Sequence, residues 1–214
     1  MAINPWEIQG IIFDLDGVLV PAPEWHRKAL NQALIDFSLP PIPLEEHESK
    51  FNGMGTREKL VALGYETTIV ESVNKRKQEL TEEIIKNECV PSVTVRDFVR
   101  FAHSVAKIAV ATNCLRPTAL MMLEKSNIIQ YFSAIITASD VERKKPFPDP
   151  YIQASLSMGV RIDDCLAIDD TKHGISSSLA AGIKTWHLSS IDALRIPNFW
   201  NVCEKMAEDK LVYL

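Results

Sequence analysis

Two aspartates set two residues apart, Asp14 and Asp16, close the short apolar run Ile11-Ile12-Phe13 and are followed at once by Gly17. Carboxylates this close repel one another unless a cation or a shared proton lies between them. The glycine lets the chain turn sharply and bring its backbone close to a ligand. A second acidic pair, Asp169-Asp170, closes the run Cys165-Leu166-Ala167-Ile168, and Thr112-Asn113 closes the run Lys107–Ala111 with a hydroxyl and an amide. Thr112-Asn113 precedes a helix start, where free N–H groups favour an anion. Arg143-Lys144-Lys145-Pro146 adds cations ahead of another helix start marked by proline. Each group alone has an ordinary reading as an acidic turn, a helix cap or a solvated basic loop. Together they bring carboxylates, a hydroxyl and an ammonium to one sheet edge. Three or four aspartate oxygens suit a hard cation such as Mg2+, which binds substrate phosphate as well. Thr112, Asn113 and Lys145 suit phosphate oxygens. The chemistry is phosphoryl transfer.

These residues need a sheet edge to hold them. The run at 11–13 is too short for a helix and rich in β-branched residues, so it reads as a buried strand of a parallel sheet. Side chains alternate along a strand, so Asp14 and Asp16 leave its carboxyl end on the same side, where open α/β sheets bind ligands. From 107 onward strands and helices alternate: strands at 107–112, 134–137, 165–169 and 184–188, helices at 118–125, 149–158 and 172–181. A closing helix carries Phe199, Trp200, Cys203 and Met206. That alternation predicts an α/β fold with a doubly wound parallel sheet.

Residues 22–90 carry no strand signal. Trp25, Ala29, Ala33 and Phe37 recur every four residues with Leu30 and Leu34 beside them, an amphipathic helix. A short helix over 45–51, a glycine-rich loop at Asn52-Gly53-Met54-Gly55-Thr56, and a helix capped by Thr56 follow. A longer helix has Ile69, Val73, Leu80 and Ile84 on one face, and its Lys75-Arg76-Lys77 cluster reads as a solvated surface. The expected domains are an α/β core of residues 1–21 and 91–214, and an inserted α-helical domain of residues 22–90.

A chain of 214 residues, 46% hydrophobic and 24% charged, with a net charge of −5, has the composition of a soluble globular protein and no basic bias toward nucleic acid or an anionic membrane. Four scattered cysteines without a CxxC pair fit reduced thiols in a cytoplasmic protein. The stretch Met1–Glu7 has no signal-peptide pattern. The expected state is a monomer or weak oligomer.

The motifs Asp14-x-Asp16-Gly17, Thr112-Asn113, Lys145-Pro146-x-Pro148-Asp149-Pro150 and Asp169-Asp170-x-x-x-Gly174-Ile175, in this order, resemble the four signatures of the haloacid dehalogenase superfamily. The helical insertion is similar to that family's small α-helical cap, found among its phosphatases and β-phosphoglucomutases. The resemblance implies a Rossmann-like core and an Mg2+-dependent phosphatase of a small phosphorylated metabolite. It casts Asp14 as the nucleophile that becomes an aspartyl-phosphate, and Asp16 as the general acid and base. Thr112 and Lys145 would hold the phosphoryl oxygens, with Asn113 beside them. Asp14, the backbone carbonyl of Asp16, Asp169 and Asp170 would hold the metal. Asp16 argues against a true dehalogenase, whose branch of the family lacks this second aspartate. Within the insertion, Arg57 resembles a substrate-contacting arginine and Glu24-Trp25-His26 a stretch near the mutase substrate, although the reading of His26 as a partly exposed helix histidine weighs slightly more. These keep a β-phosphoglucomutase-like isomerase as the rival to a hydrolase. A non-catalytic binding protein is a third reading, opposed by the complete set of catalytic side chains. Val20-Pro21-Ala22-Pro23 departs from the polar pair many relatives carry there, and its prolines restrict the hinge into the insertion.

Overall fold

The computed structural model describes residues 8–51, 54–206 and 211–213. The chain divides into two compact units, Met1–Pro21 with Val90–Leu214, and Ala22–Cys89.

The first unit is built on six parallel strands: β1 (Gly10–Phe13), β2 (Lys107–Ala111), β3 (Ala134–Ile136), β4 (Cys165–Asp169), β5 (Lys184–His187) and β6 (Leu211–Tyr213). Their order is β3-β2-β1-β4-β5-β6, so the chain reverses direction across the sheet on either side of β1. Phe13 is in register with Val110 of β2 and Ile168 of β4. The three strand ends that carry Asp14, Thr112 and Asp169 are therefore neighbours, at the topological switch point where doubly wound sheets bind ligands. Backbone bonds extend the ladder past the strand ends: Asp14 N–H donates to Ile168 O and Thr112 N–H to Ile136 O, both at 2.9 Å.

Both faces of the sheet are covered, and β1 is buried throughout. One face packs Ile12, Ala109, Ala111 and Ala167 against Tyr151, Ala154 and Met158 of a helix at Asp149–Met158. Elsewhere Phe13, Phe98, Phe199 and Trp186 form edge-on ring contacts with centroids about 6 Å apart, the geometry aromatic quadrupoles favour. The helices of this unit are those at Val93–Val105, Arg116–Lys125, Asp149–Met158, Lys172–Ala180 and Ile196–Lys205. The first of them has no counterpart in the sequence reading. Val95, Phe98, Val99 and Ala102 form its buried stripe at helical spacing, and Ser92 caps it by accepting from Val95 N–H. The helix at Arg116 starts two residues earlier than expected, with Pro117 in its first turn, where a missing N–H costs nothing.

The second unit contains helices at Ala22–Asp36, Leu44–Lys50, Thr56–Ala62 and Thr67–Glu88. Leu30, Ala33, Leu34, Ile42, Phe51, Leu60, Val70 and Val73 form its core. Asn31 ties the connector to the first helix through two 2.9 Å bonds with the backbone of Ile42. Four expectations are corrected here. The first helix stops at Asp36 and leaves Phe37 exposed. Gly55, not Thr56, caps the third helix, its N–H donating to the Glu58 carboxylate at 3.0 Å. The inward face of the long helix is Val70, Val73, Asn74, Lys77, Thr81 and Ile85, with Ile69 and Leu80 only partly covered. Lys77 accordingly lies inside, 5% exposed, rather than on a solvated surface. Asn52 and Gly53 of the glycine-rich loop, and Met1–Glu7, lie outside the described residues. Among the described residues no helix is long and apolar enough to cross a membrane, and the cysteines are free thiols.

Candidate active site

After β1 the chain folds into a tight loop: Leu15 O accepts from the N–H groups of Leu19 and Val20, and Gly17 N–H donates to Val20 O at 2.8 Å. Leu15, Leu19 and Val20 are buried, which pins the loop from beneath. Gly17 has φ of +91°, and a Cβ there would collide with the Asp170 carboxylate. A side chain at Gly174 would likewise collide with Asp169. Backbone conformation and crowding thus both exclude larger residues at Gly17.

Asp14, Asp169, Asp170, Lys145, Thr112 and Asp16 are brought together at this edge. Lys145 Nζ donates to Asp14 Oδ1 at 2.8 Å and to Asp169 Oδ2 at 2.7 Å, with the three side chains between 0% and 8% exposed. Asn113 fixes the backbone that carries Lys145: its amide donates to Lys145 O at 3.1 Å and its carbonyl oxygen accepts from Lys145 N–H at 3.0 Å. The Asn113 side chain is therefore turned to a backbone segment rather than held open for a phosphate. Thr112 Oγ1 accepts from Cys114 N–H at 3.0 Å and makes a long 3.5 Å contact with Asp16 Oδ2.

Asp169 is saturated by protein donors. Its Oδ2 accepts from Lys145 Nζ and from the Tyr151 hydroxyl at 2.6 Å, and its Oδ1 accepts from the N–H and hydroxyl of Thr171, both at 2.9 Å. A carboxylate has about four acceptor positions, so direct coordination falls to its neighbours. Asp170 presents the opposite condition: its Oδ1 is buried without a hydrogen-bond partner among the described residues. Oxygens of Asp14, Asp169 and Asp170 lie within 4.8 Å of one another.

Burial pushes the Asp14 carboxyl well above the usual carboxylate range; Lys145 opposes this, and the charges of Asp169, Asp170 and Asp16 reinforce it. Burial, then the Asp169 charge, pushes Asp170 up to about 7. Burial works against the Lys145 ammonium, but Asp14 and Asp169 outweigh it and hold Lys145 charged above the ordinary lysine value. Four carboxylates face one ammonium. Such a set, with an orphaned buried oxygen, has the donors and charge deficit that suit a divalent cation.

Tyr151 and Thr171 were not singled out from the sequence. Thr171 carries a readable signal, since its hydroxyl caps the following helix by accepting from Gly174 N–H at 3.0 Å. Tyr151 follows Pro148-Asp149-Pro150 on a helix face that looks purely apolar, and nothing in its neighbours announces a carboxylate. His26 and Arg57 belong to the helical unit. His26 Nδ1 lies 3.0 Å from Lys77 Nζ. Arg57 forms a two-bond pair with Glu71, both bonds 2.8 Å, in which the partners are 59% and 52% exposed.

A doubly wound parallel sheet with paired carboxylates and a buried lysine at its switch point defines an α/β protein of phosphoryl-transfer type. The chain matches the family model of the haloacid dehalogenase-like hydrolases over residues 11–188 and belongs to that family. It is similar to fructose-1-phosphate phosphatase YqaB of Escherichia coli, 26% identical over 181 residues that cover 81% of this chain and 93% of that protein. It is also similar to phosphoglycolate phosphatase of Escherichia coli, 26% identical over 201 residues, 82% of this chain and 79% of that protein. Among solved structures, β-phosphoglucomutase of Clostridium difficile matches with a TM-score of 0.78 at 19% identity, covering 93% of this chain and 98% of that one, a likeness of fold.

Proposed function

We propose that this chain is an Mg2+-dependent phosphatase of small phosphorylated metabolites that works through an aspartyl-phosphate on Asp14. The observation that carries the reading is the Lys145 ammonium held between Asp14 and Asp169, beside the unpartnered buried oxygen of Asp170. A nucleophilic carboxylate must stay ionised in a buried site, and Lys145 is the group that favours its charge. Asp14 and Asp170, with the backbone carbonyl of Asp16, would hold the dication, which when bound supplies positive charge to the carboxylates and phosphoryl oxygens. The free Asp14 oxygen attacks phosphorus while the bond to the ester oxygen breaks, and Asp16 gives its proton to that leaving oxygen. In the second step Asp16 takes a proton from water as the water oxygen attacks phosphorus, which frees phosphate and restores Asp14. Lys145 and Thr112 stand where charge builds on the phosphoryl oxygens. Relatives named for hydrolysing fructose 1-phosphate and phosphoglycolate support a small phosphomonoester as substrate. His26 and Arg57 are the helical unit's candidates for recognising the rest of the molecule.

The test is a panel of phosphorylated sugars, phosphoglycolate and nucleotides with Mg2+. Release of inorganic phosphate that Asp14→Asn abolishes is the expected result. Isomerised sugar phosphate from β-glucose 1-phosphate would replace the hydrolase with the mutase. No turnover of any ester, or undiminished turnover in Asp14→Asn, would refute both.

A further inference from the structure

We propose that Tyr151 is a positioning residue for phosphoryl transfer: its hydroxyl fixes the Asp169 carboxylate and, through it, the Lys145 ammonium. The inference rests on the reaction proposed above, and goes beyond it to a residue that reaction does not use directly.

Tyr151 is fully buried on the helix Asp149–Met158. Its hydroxyl donates to Asp169 Oδ2 at 2.6 Å, the same oxygen that accepts from Lys145 at 2.7 Å. Its ring centroid lies 5.0 Å from Lys145 Nζ, within the range where a ring face attracts a cation. One side chain therefore touches both members of the ion pair. Packing does not require the hydroxyl: around Tyr151 stand Ile12, Ala109, Ala111 and Ala154, which a phenylalanine would satisfy with no polar atom to bury.

The hydroxyl has two effects on Asp169. With Thr171 holding Oδ1 and Tyr151 sharing Oδ2, the carboxylate cannot rotate without breaking bonds at both oxygens. The Tyr151 bond also completes the filling of its acceptor positions, so Asp169 stays turned toward Lys145 and leaves Asp14 and Asp170 to face the ligand. Removal of the hydroxyl opens one buried acceptor, releases the rotation, and lets the ammonium drift from the position where it meets both Asp14 and an incoming phosphoryl oxygen. A displacement on the order of 1 Å at a reacting centre costs up to about 100-fold in rate.

The test is Tyr151→Phe in the full chain, read by steady-state hydrolysis of p-nitrophenyl phosphate with Mg2+, by thermal denaturation, and by the proton–nitrogen resonance of the Lys145 ammonium in lysine-labelled protein. Lys145→Arg assigns that resonance by its disappearance. The expected result is a kcat lower by roughly 10- to 100-fold with KM within about threefold, a melting temperature little changed, and a Lys145 resonance that shifts or broadens. In the Lys145→Arg background the same substitution should cost less than about threefold, because coupled residues are not additive. The inference is overturned by a kcat within twofold of native, by an equal loss in both backgrounds, by a loss that tracks the melting temperature, or by a Lys145 resonance that is absent from the native protein or indifferent to the substitution. If the native chain hydrolyses no phosphate ester, the proposed reaction fails, and the resonance alone still decides whether Tyr151 positions Lys145.

Discussion

The chain buries lysines in both of its units and treats them in opposite ways. In the α/β unit Lys145 lies between two carboxylates. In the helical unit Lys59 and Lys77, 9% and 5% exposed, each meet an imidazole: His47 Nε2 at 3.1 Å and His26 Nδ1 at 3.0 Å. Burial drives a lysine toward its neutral form, and Lys59 follows that rule. Burial first, then the charge of Lys77, pushes it down to about 8. Burial, with Lys59 and Arg27 nearby, lowers His47 to about 4, so its ring is neutral near pH 7 and accepts from Lys59. Lys145 is just as buried and is held above the ordinary value. Burial alone does not set the charge. The partner does, and a lysine beside carboxylates stays an ammonium that steadies a nucleophile.

Replacement of each lysine by methionine separates the two environments most sharply. Lys145→Met leaves two buried carboxylates, Asp14 and Asp169, without their cation. It should lower turnover by at least about 10³-fold, since electrostatic stabilisation is the largest single contribution to such steps. Lys59→Met removes a buried amine whose charge is already disfavoured, and should leave stability unchanged or raise it by about 1–2 kcal/mol. Chemical denaturation and kcat measured on both variants check this, and similar outcomes for the two would erase the distinction.

Next in size is Asp16→Asn, which keeps the shape but moves no proton. Loss should be roughly 10²–10⁴-fold for an alkyl phosphate and much smaller in the first step for acetyl phosphate, whose leaving group needs little protonation. Equal loss on both would make Asp16 a structural residue.

The carboxylate cluster also predicts a pH dependence. Burial and then the Asp169 charge push Asp170 up to about 7 from the ordinary 3.8, so the folded state binds the proton more tightly than the unfolded state. Without metal, stability should therefore fall as pH rises from about 4 to about 7, by up to about 4 kcal/mol. Mg2+ should flatten that slope by stabilising the ionised form. Thermal melts across this window with and without Mg2+ measure it, and a metal-free protein that gains stability over the same window would contradict the assigned electrostatics.

The smallest effect belongs to the surface of the helical unit. Arg57→Ala breaks an exposed pair with Glu71 and should leave stability nearly unchanged. If Arg57 recognises the part of the substrate beyond the phosphate, the variant should lose kcat/KM on the natural ester and keep it on a small aryl phosphate. Equal retention on both would confine Arg57 to the surface pair.

The sequence made legible what local chemistry dictates. The run Ile11–Phe13, the glycine after Asp16 and the alternation of strands with helices are enough for the α/β sheet, for three strand ends with polar groups and for the basic loop that carries Lys145. Two kinds of feature escaped. Val93–Val105 is rich in β-branched and aromatic residues, and its helical spacing shows only when Val95, Phe98, Val99 and Ala102 are aligned as one stripe. The inward turn of Lys77 and the bond of Tyr151 to Asp169 depend on which side of a helix meets which element, and residue type carries no sign of that. Asp169 illustrates the limit best. From its spacing it is one more acidic ligand, yet its four acceptor positions are filled by Lys145, Tyr151 and Thr171, contacts made across 18 to 24 residues of chain as well as locally.

In this mechanism Asp14, whose charge Lys145 favours against burial and the neighbouring carboxylates, takes the phosphoryl group onto its own carboxylate. Brief reaction of the Mg2+-loaded protein with radiolabelled acetyl phosphate, an acid quench and peptide mapping tests it directly. The expected result is an acid-stable, alkali-labile label on the peptide that contains Asp14, absent from Asp14→Asn and accumulating in Asp16→Asn. Turnover without any label in either the native or the Asp16→Asn protein, or a label that persists in Asp14→Asn, would contradict it.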